Sequence, residues 1–200
     1  MNNQQLIITL GREHGSGGYY IASMLAERFG IKLYDKDSIE KEIISEGYSQ
    51  ELVHRMDEKP VNLLFSRRIG KYSNSLEVNV AEKTFDMIRG KAASGESFLL
   101  IGRCGNQILH DNPNCISLFI GADQDAKLAR VMERKGMSAD DAIEEIRKVD
   151  HSRKAYHNYY CDMKWGDARG YDLTVKSNVL GIEGTAETLA QYIRAFLNRE

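Results

Sequence analysis

The sequence predicts an α/β protein with a central parallel sheet of about five strands flanked by helices. Three observations carry that reading. The apolar runs are short, rich in β-branched residues and unalternated, as parallel strands buried on both faces require. Stretches of helical period separate them. Only two prolines, Pro60 and Pro113, interrupt the 200 residues, and there is no repeat, low-complexity tract or Gly/Ser linker. A chain of this length with 42% hydrophobic residues suits one domain, with room for a small inserted subdomain.

Taken in order, Leu6, Ile7, Ile8, Thr9 and Leu10 form the first strand. A glycine-rich stretch follows, then Ile21, Met24, Leu25 and Phe29 at helical spacing, stopped by Gly30. Residues 31–34 are a second strand, and Ile39, Ile43 and Ile44 mark a helix with Asp37 or Ser38 as its cap. Between about 47 and 72 the pattern weakens around Gly47, Pro60 and Gly70, which predicts short helices and loops rather than a strand. Ala81, Phe85, Ile88 and Ala92 define a longer helix ending near Gly95. Two more buried strands, 98–101 and 116–120, bracket a short helix around 107–110. Two helices, 123–135 and 138 to about 160, hinge at Gly136, and Ser138 with Asp141 forms a capping-box start for the second. A last strand at 173–175 leads into a helix carrying Leu189, Ile193, Phe196 and Leu197 on one face.

Charge and cysteine usage narrow the function classes. A net charge of -2 lacks the positive field that polymeric nucleic acid requires, so small molecules are the expected partners. The first residues have no basic region, and the apolar run at 6–10 is too short for a signal core or a membrane span, so the expected location is cytoplasmic, away from membranes. Cys104, Cys115 and Cys161 lack C-x-x-C spacing and predict three ordinary reduced thiols, with no metal site.

The chemistry concentrates between the first strand and first helix, where His14, Gly15, Ser16, Gly17 and Gly18 stand. A helix N-terminus offers unpaired N–H groups and partial positive charge, and preceding glycines let a phosphate approach the backbone. The competing reading is a tight turn whose glycines only supply positive φ. A dinucleotide-binding loop is a second competitor, because Asp35 ends the next strand 20 residues after Gly15. That fingerprint fails at its third glycine, where Tyr20 stands.

The run from Ile8 through Gly11, Arg12, Glu13 and His14 to Gly18 resembles the start of the cytidylate kinases, and more closely the cytidylate kinase-like proteins. The similarity continues through Leu33-Tyr34-Asp35, Gly102-Arg103, Phe119-Ile120-Gly121-Ala122, Arg130 and Tyr171-Asp172-Leu173. The resemblance implies a P-loop NTP-binding fold that moves the γ-phosphoryl group of ATP to a nucleoside monophosphate, cytidylate-like, or a related small acceptor, with Mg2+ bridging phosphates. It also implies a helical acceptor-binding insertion over residues 39–95 and a lid over residues 122–166.

Against the G-x-x-x-x-G-K-[ST] pattern, Arg12 replaces the first Gly, Gly18 the Lys, and a tyrosine the magnesium-binding hydroxyl. A non-catalytic phosphate-binding or sensing protein with a degenerate loop is therefore the alternative. For the missing Lys, the candidate substitute is Arg12, whose guanidinium holds two phosphate oxygens together; a surface Arg paired to Glu13 is the other reading. Arg130 and Arg153 are the candidate catalytic cations from their match to the family's lid, set against an ordinary solvated hairpin with interleaved acids. Asp35, Lys41 and Arg103 match the family's acceptor region, and Asp150 is a candidate for orienting an Arg or an acceptor hydroxyl. Lys41 also suits a surface i,i+4 pair with Asp37, and Asp150 one with Lys154. Tyr156, Tyr159, Tyr160 and Trp165 serve either base stacking or packing.

Overall fold

The computed structural model describes residues 4–51, 53, 68, 69, 72, 73 and 76–199. Strand β1 (Ile7–Arg12) leads to α1 (Gly18–Phe29), β2 (Lys32–Tyr34) and α2 (Lys36–Ser45). The antiparallel pair β3 (Arg68–Ile69) and β4 (Tyr72–Ser73) precedes α3 (Leu76–Ala93), β5 (Phe98–Ile101) and the single-turn α4 (Gly105–Ile108). Then come β6 (Cys115–Gly121), α5 (Gln124–Lys135), α6 (Ala139–Tyr160), β7 (Leu173–Lys176) and α7 (Ser177–Leu197).

Strands β2, β5, β1, β6 and β7 form, in that order, a five-stranded sheet in which every pairing is parallel. Strand β1 is central, with Ile8 opposite Leu99 on one side and Ile116 on the other. The chain builds β2 and β5 on one side of β1, then crosses to build β6 and β7 on the other. The carboxyl end of β1 therefore lies at the switch point where open α/β sheets bind ligands.

The β1 run is unalternated because both faces are covered. Leu6, Ile8 and Leu10 pack with Ile21 and Leu25 of α1 and Leu189 and Ile193 of α7. Ile7 faces the opposite core with Tyr34, Ile39, Ile43, Ile88 and Phe98. Each such aliphatic side chain contributes about 1.5–3 kcal/mol through burial, so the core anchors the end of β1 rigidly. No helix among the described residues is long and apolar enough to cross a membrane.

Local predictions are corrected in two places. The α2 cap is Asp35, not Asp37 or Ser38: its carboxylate accepts from the Ser38 amide at 3.0 Å, while the Ser38 hydroxyl accepts from the Asp35 amide at 2.8 Å. The stretch at 47–72 was expected to hold no strand, yet Arg68–Ile69 pairs with Tyr72–Ser73. Two-residue strands are too short for alternation to register. Pro60 and Gly70 lie outside the described residues. The start of α6 follows expectation, with the Ser138 side chain accepting from the Asp141 amide at 3.2 Å.

Candidate active site

Between β1 and α1 the chain turns through Gly15 and Gly17, both at positive φ (80° and 77°), and Gly17 caps α1 without a side-chain hydrogen bond. The carbonyls of this turn are held from behind. Arg130 donates to Gly15 O at 3.3 Å and Ser177 to Ser16 O at 2.5 Å, while the buried Ser16 hydroxyl donates to Glu13 O at 2.8 Å. The amides of Gly15, Gly17, Tyr19 and Tyr20 have no protein acceptor among the described residues. Unsatisfied N–H groups at a helix N-terminus are the feature that anion cradles use.

Position 18 has no room for a side chain. A β-carbon there would lie 2.7 Å from Arg12 Cβ and 3.2 Å from its Cγ, too close for any side chain without moving the strand end. Arg12 and Gly18 are thus one steric unit.

The α5–α6 hairpin is tied to the loop by polar contacts. Asp150 accepts from the His14 amide at 2.7 Å, Arg153 donates to Arg12 O at 3.3 Å, and Lys127 pairs with Glu13 at 3.1 Å. The Glu13 carboxylate also accepts from the Ala122 amide at 3.2 Å. Burial raises the Asp150 carboxyl, opposed by the His14 amide. Glu145, 2.8 Å from His14 Nε2, is held below its ordinary value by hydrogen bonds from Lys135 and His14.

Burial lowers His14 from its ordinary 6.5, with Arg153 and Arg134 adding to the effect and Glu145 opposing it. Because the folded value lies below the unfolded one, this contribution to stability is complete above pH 6.5 and is lost as the pH falls through the lowered value. His14→Gln is therefore expected to flatten the fall in Tm between about pH 7.5 and about pH 5. Parallel melting curves for the two proteins across that window would assign the loss elsewhere.

Two cavities meet at the loop. The first, of about 680 Å³, runs along Gly15, Gly17 and Gly18 beneath Arg130, Arg134 and Arg153, with Tyr20 and Ile182 as apolar edges. The second is a cleft of about 30 Å³ at the carboxyl ends of β1 and β5, bordered by Arg103, Asn106, Tyr156 and His157. Arg12 and Arg153 line both.

Arg103 is almost wholly buried and holds φ at +57°, beside Cys104 at +55°. Full burial lowers its pKa, opposed by Tyr156, Glu40, Cys104 and Asp35. Asp35 and Glu40 thus put negative charge near Arg103, whereas Lys41 is exposed on α2 and lines neither cavity. Asp150 stands at the loop between β1 and α1, on the His14 amide. The aromatic residues pack against one another: Phe85 meets Tyr160 at 5.2 Å and Phe119 meets Trp165 at 5.4 Å between ring centroids.

Sequence reasoning missed Glu40, 3% exposed, although an acid spaced with Ile39, Ile43 and Ile44 on the apolar face was a readable signal. It missed Lys127 as well, whose side chain is buried against Glu13. The three thiols were expected to be independent. Cys115 is separate, but Cys104 and Cys161 come together with His157.

Fold and loop together define a P-loop kinase architecture. The fold is shared with the shikimate kinase of Bacteroides thetaiotaomicron (12% identity, TM-score 0.57, covering 94% of this chain and 98% of that one). It is shared also with a gluconokinase from Sinorhizobium meliloti (15% identity, TM-score 0.51, all of both chains). The profile of the cytidylate kinase-like family matches residues 7–179, and the chain belongs to that family. Cytidylate kinases of Methanococcus vannielii and Methanococcus maripaludis are each 23% identical to it, covering 94% of this chain and 100% and 97% of theirs. An uncharacterized protein from Eubacterium ventriosum is 36% identical, with a TM-score of 0.75 over 95% of this chain and 99% of that one.

Proposed function

We propose that the protein transfers the γ-phosphoryl group of ATP to a nucleoside monophosphate, cytidylate-like, or to a related small acceptor. The observation that carries this is the position of Arg12 and Arg153, which line both the large phosphate-loop cavity and the narrow cleft at Arg103. A donor on one side and an acceptor on the other would exchange a phosphoryl group between these two guanidiniums. Such transfer is catalysed mainly by positioning and charge neutralisation. The acceptor oxygen attacks the γ-phosphorus as its bond to the β–γ bridging oxygen breaks, and ADP leaves.

In this reading the loop amides and Arg12 hold the donor phosphates, with His14 at the cavity edge, and Arg130 with Arg153 offsets the developing charge. Arg103 meets the acceptor, with Asp35 and Glu40 behind it. The α5–α6 hairpin acts as the lid over residues 122–166, and residues 39–95 supply the acceptor side. Because the cleft has room for about one water, acceptor entry requires that hairpin to move. The two loop oxygens nearest in kind to a Mg2+ ligand are already engaged: the Ser16 hydroxyl donates to the Glu13 carbonyl, and the Glu13 carboxylate is held by Lys127 and the Ala122 amide. Magnesium would arrive on ATP's own oxygens.

The small size of the cleft favours one second reading, a nucleotide-binding protein without turnover. ADP formation measured with ATP, Mg2+ and a panel of nucleoside monophosphates, with shikimate and gluconate as further acceptors, separates the two. Turnover with a cytidylate-type acceptor is expected. Tight ATP binding with no turnover on any acceptor would replace the kinase reading with the second one.

A further inference from the structure

At the wall of the narrow cleft beside Arg103, Cys104, His157 and Cys161 bring three potential metal-binding atoms within 4.8 Å of one another. All three residues are buried, at 4%, 5% and 8% exposure, and no disulfide joins the thiols. His157 and Cys161 are four residues apart at the end of α6, a spacing that puts both on one face. Cys104 reaches them from the corner after β5, where Arg103 and Cys104 both take positive φ. Two consecutive side-chain-bearing residues in that region persist only where the surroundings hold them there.

We infer that Cys104, Cys161 and His157 form a binding site for a borderline-soft divalent cation of the Zn2+ class. In a tetrahedral zinc site, sulfur and nitrogen ligands lie about 3.5 Å apart, from Zn–S of about 2.3 Å and Zn–N of about 2.0–2.1 Å. Cys161 Sγ and His157 Nδ1 stand at 3.4 Å. Binding converts the two thiols to thiolates and releases their protons to solvent, so the cation and its two cysteine ligands carry no net charge.

Three protein ligands leave one position, and the adjoining cleft lined by Cys104 and His157 has space for a water to fill it. His157 Nε2, buried without a hydrogen-bond partner among the described residues, remains as the outer nitrogen of the ring. The cation would pin the end of α6 to the corner that presents Arg103.

The test uses the reduced, chelator-stripped full chain titrated with Co2+ and then Zn2+. One equivalent of Co2+ should produce thiolate-to-cobalt charge-transfer absorption, and Zn2+ should displace it. The band should be lost in Cys104→Ser and Cys161→Ser and retained in Cys115→Ser. No band in the parent chain, or a band surviving in both of the first two variants, overturns the site. Because buried substitutions can impair folding, thiol alkylation of the unmodified chain supplies a second measure. Zn2+ should slow modification of Cys104 and Cys161, and equal rates with and without Zn2+ overturn the site as well.

Discussion

Replacing Arg153 with alanine is expected to lower kcat by about 10³-fold, the scale on which a charge-neutralising arginine acts in phosphoryl transfer. ATP affinity should change far less, because a group that acts mainly in the transition state moves kcat rather than ground-state binding. The expectation rests on place. Arg153 is 17% exposed, donates to the carbonyl of Arg12 and lines both cavities. Asp150 lies 3.8 Å away and also accepts from the His14 amide, so the guanidinium sits against a carboxylate already engaged by the loop.

The control is Arg153→Lys. It keeps the charge but loses the planar fork, and should recover only part of the rate. Steady-state ADP release and ATP binding by calorimetry measure the two effects separately. An Arg153→Ala enzyme with unchanged kcat would remove Arg153 from the reaction and leave the hairpin an ordinary solvated element.

The strand, loop and first helix were legible because their signals are local. An unalternated run such as Ile7, Ile8, Thr9 and Leu10 says that both faces are covered, and glycines before an amphipathic stretch say where the helix begins. What stayed hidden depends on contacts between distant segments. Nothing in the local pattern indicates that Asp150 meets the His14 amide or that Lys127 closes on Glu13. Cys104 and Cys161 carry no short ligand motif and converge only because the end of α6 returns to the β5 corner. The Asp35 cap was a boundary error of another kind: α2 begins at Lys36, earlier than its first apolar residue suggested.

The coupling between positions 12 and 18 gives the other large effect. Gly18→Lys, which restores the usual P-loop residue, is expected to destabilise the chain and weaken ATP binding, because its β-carbon would meet Arg12 Cβ at 2.7 Å. Overpacking of this kind costs about 1–3 kcal/mol. Arg12→Gly alone leaves the space open but removes the loop's guanidinium, so it too should bind ATP weakly. The double variant Arg12→Gly with Gly18→Lys has both the space and a cation, and should recover stability and ATP affinity relative to either single change. Urea midpoints and calorimetric ATP affinities for the four proteins form a double-mutant cycle that reads the coupling directly. Additive effects would mean that two independent substitutions altered the loop; a strong favourable coupling would mean that the charge moved in one concerted exchange. In that case the absent Lys is a relocation of the phosphate-binding charge onto β1, and the loop has kept its electrostatic capacity for phosphoryl transfer.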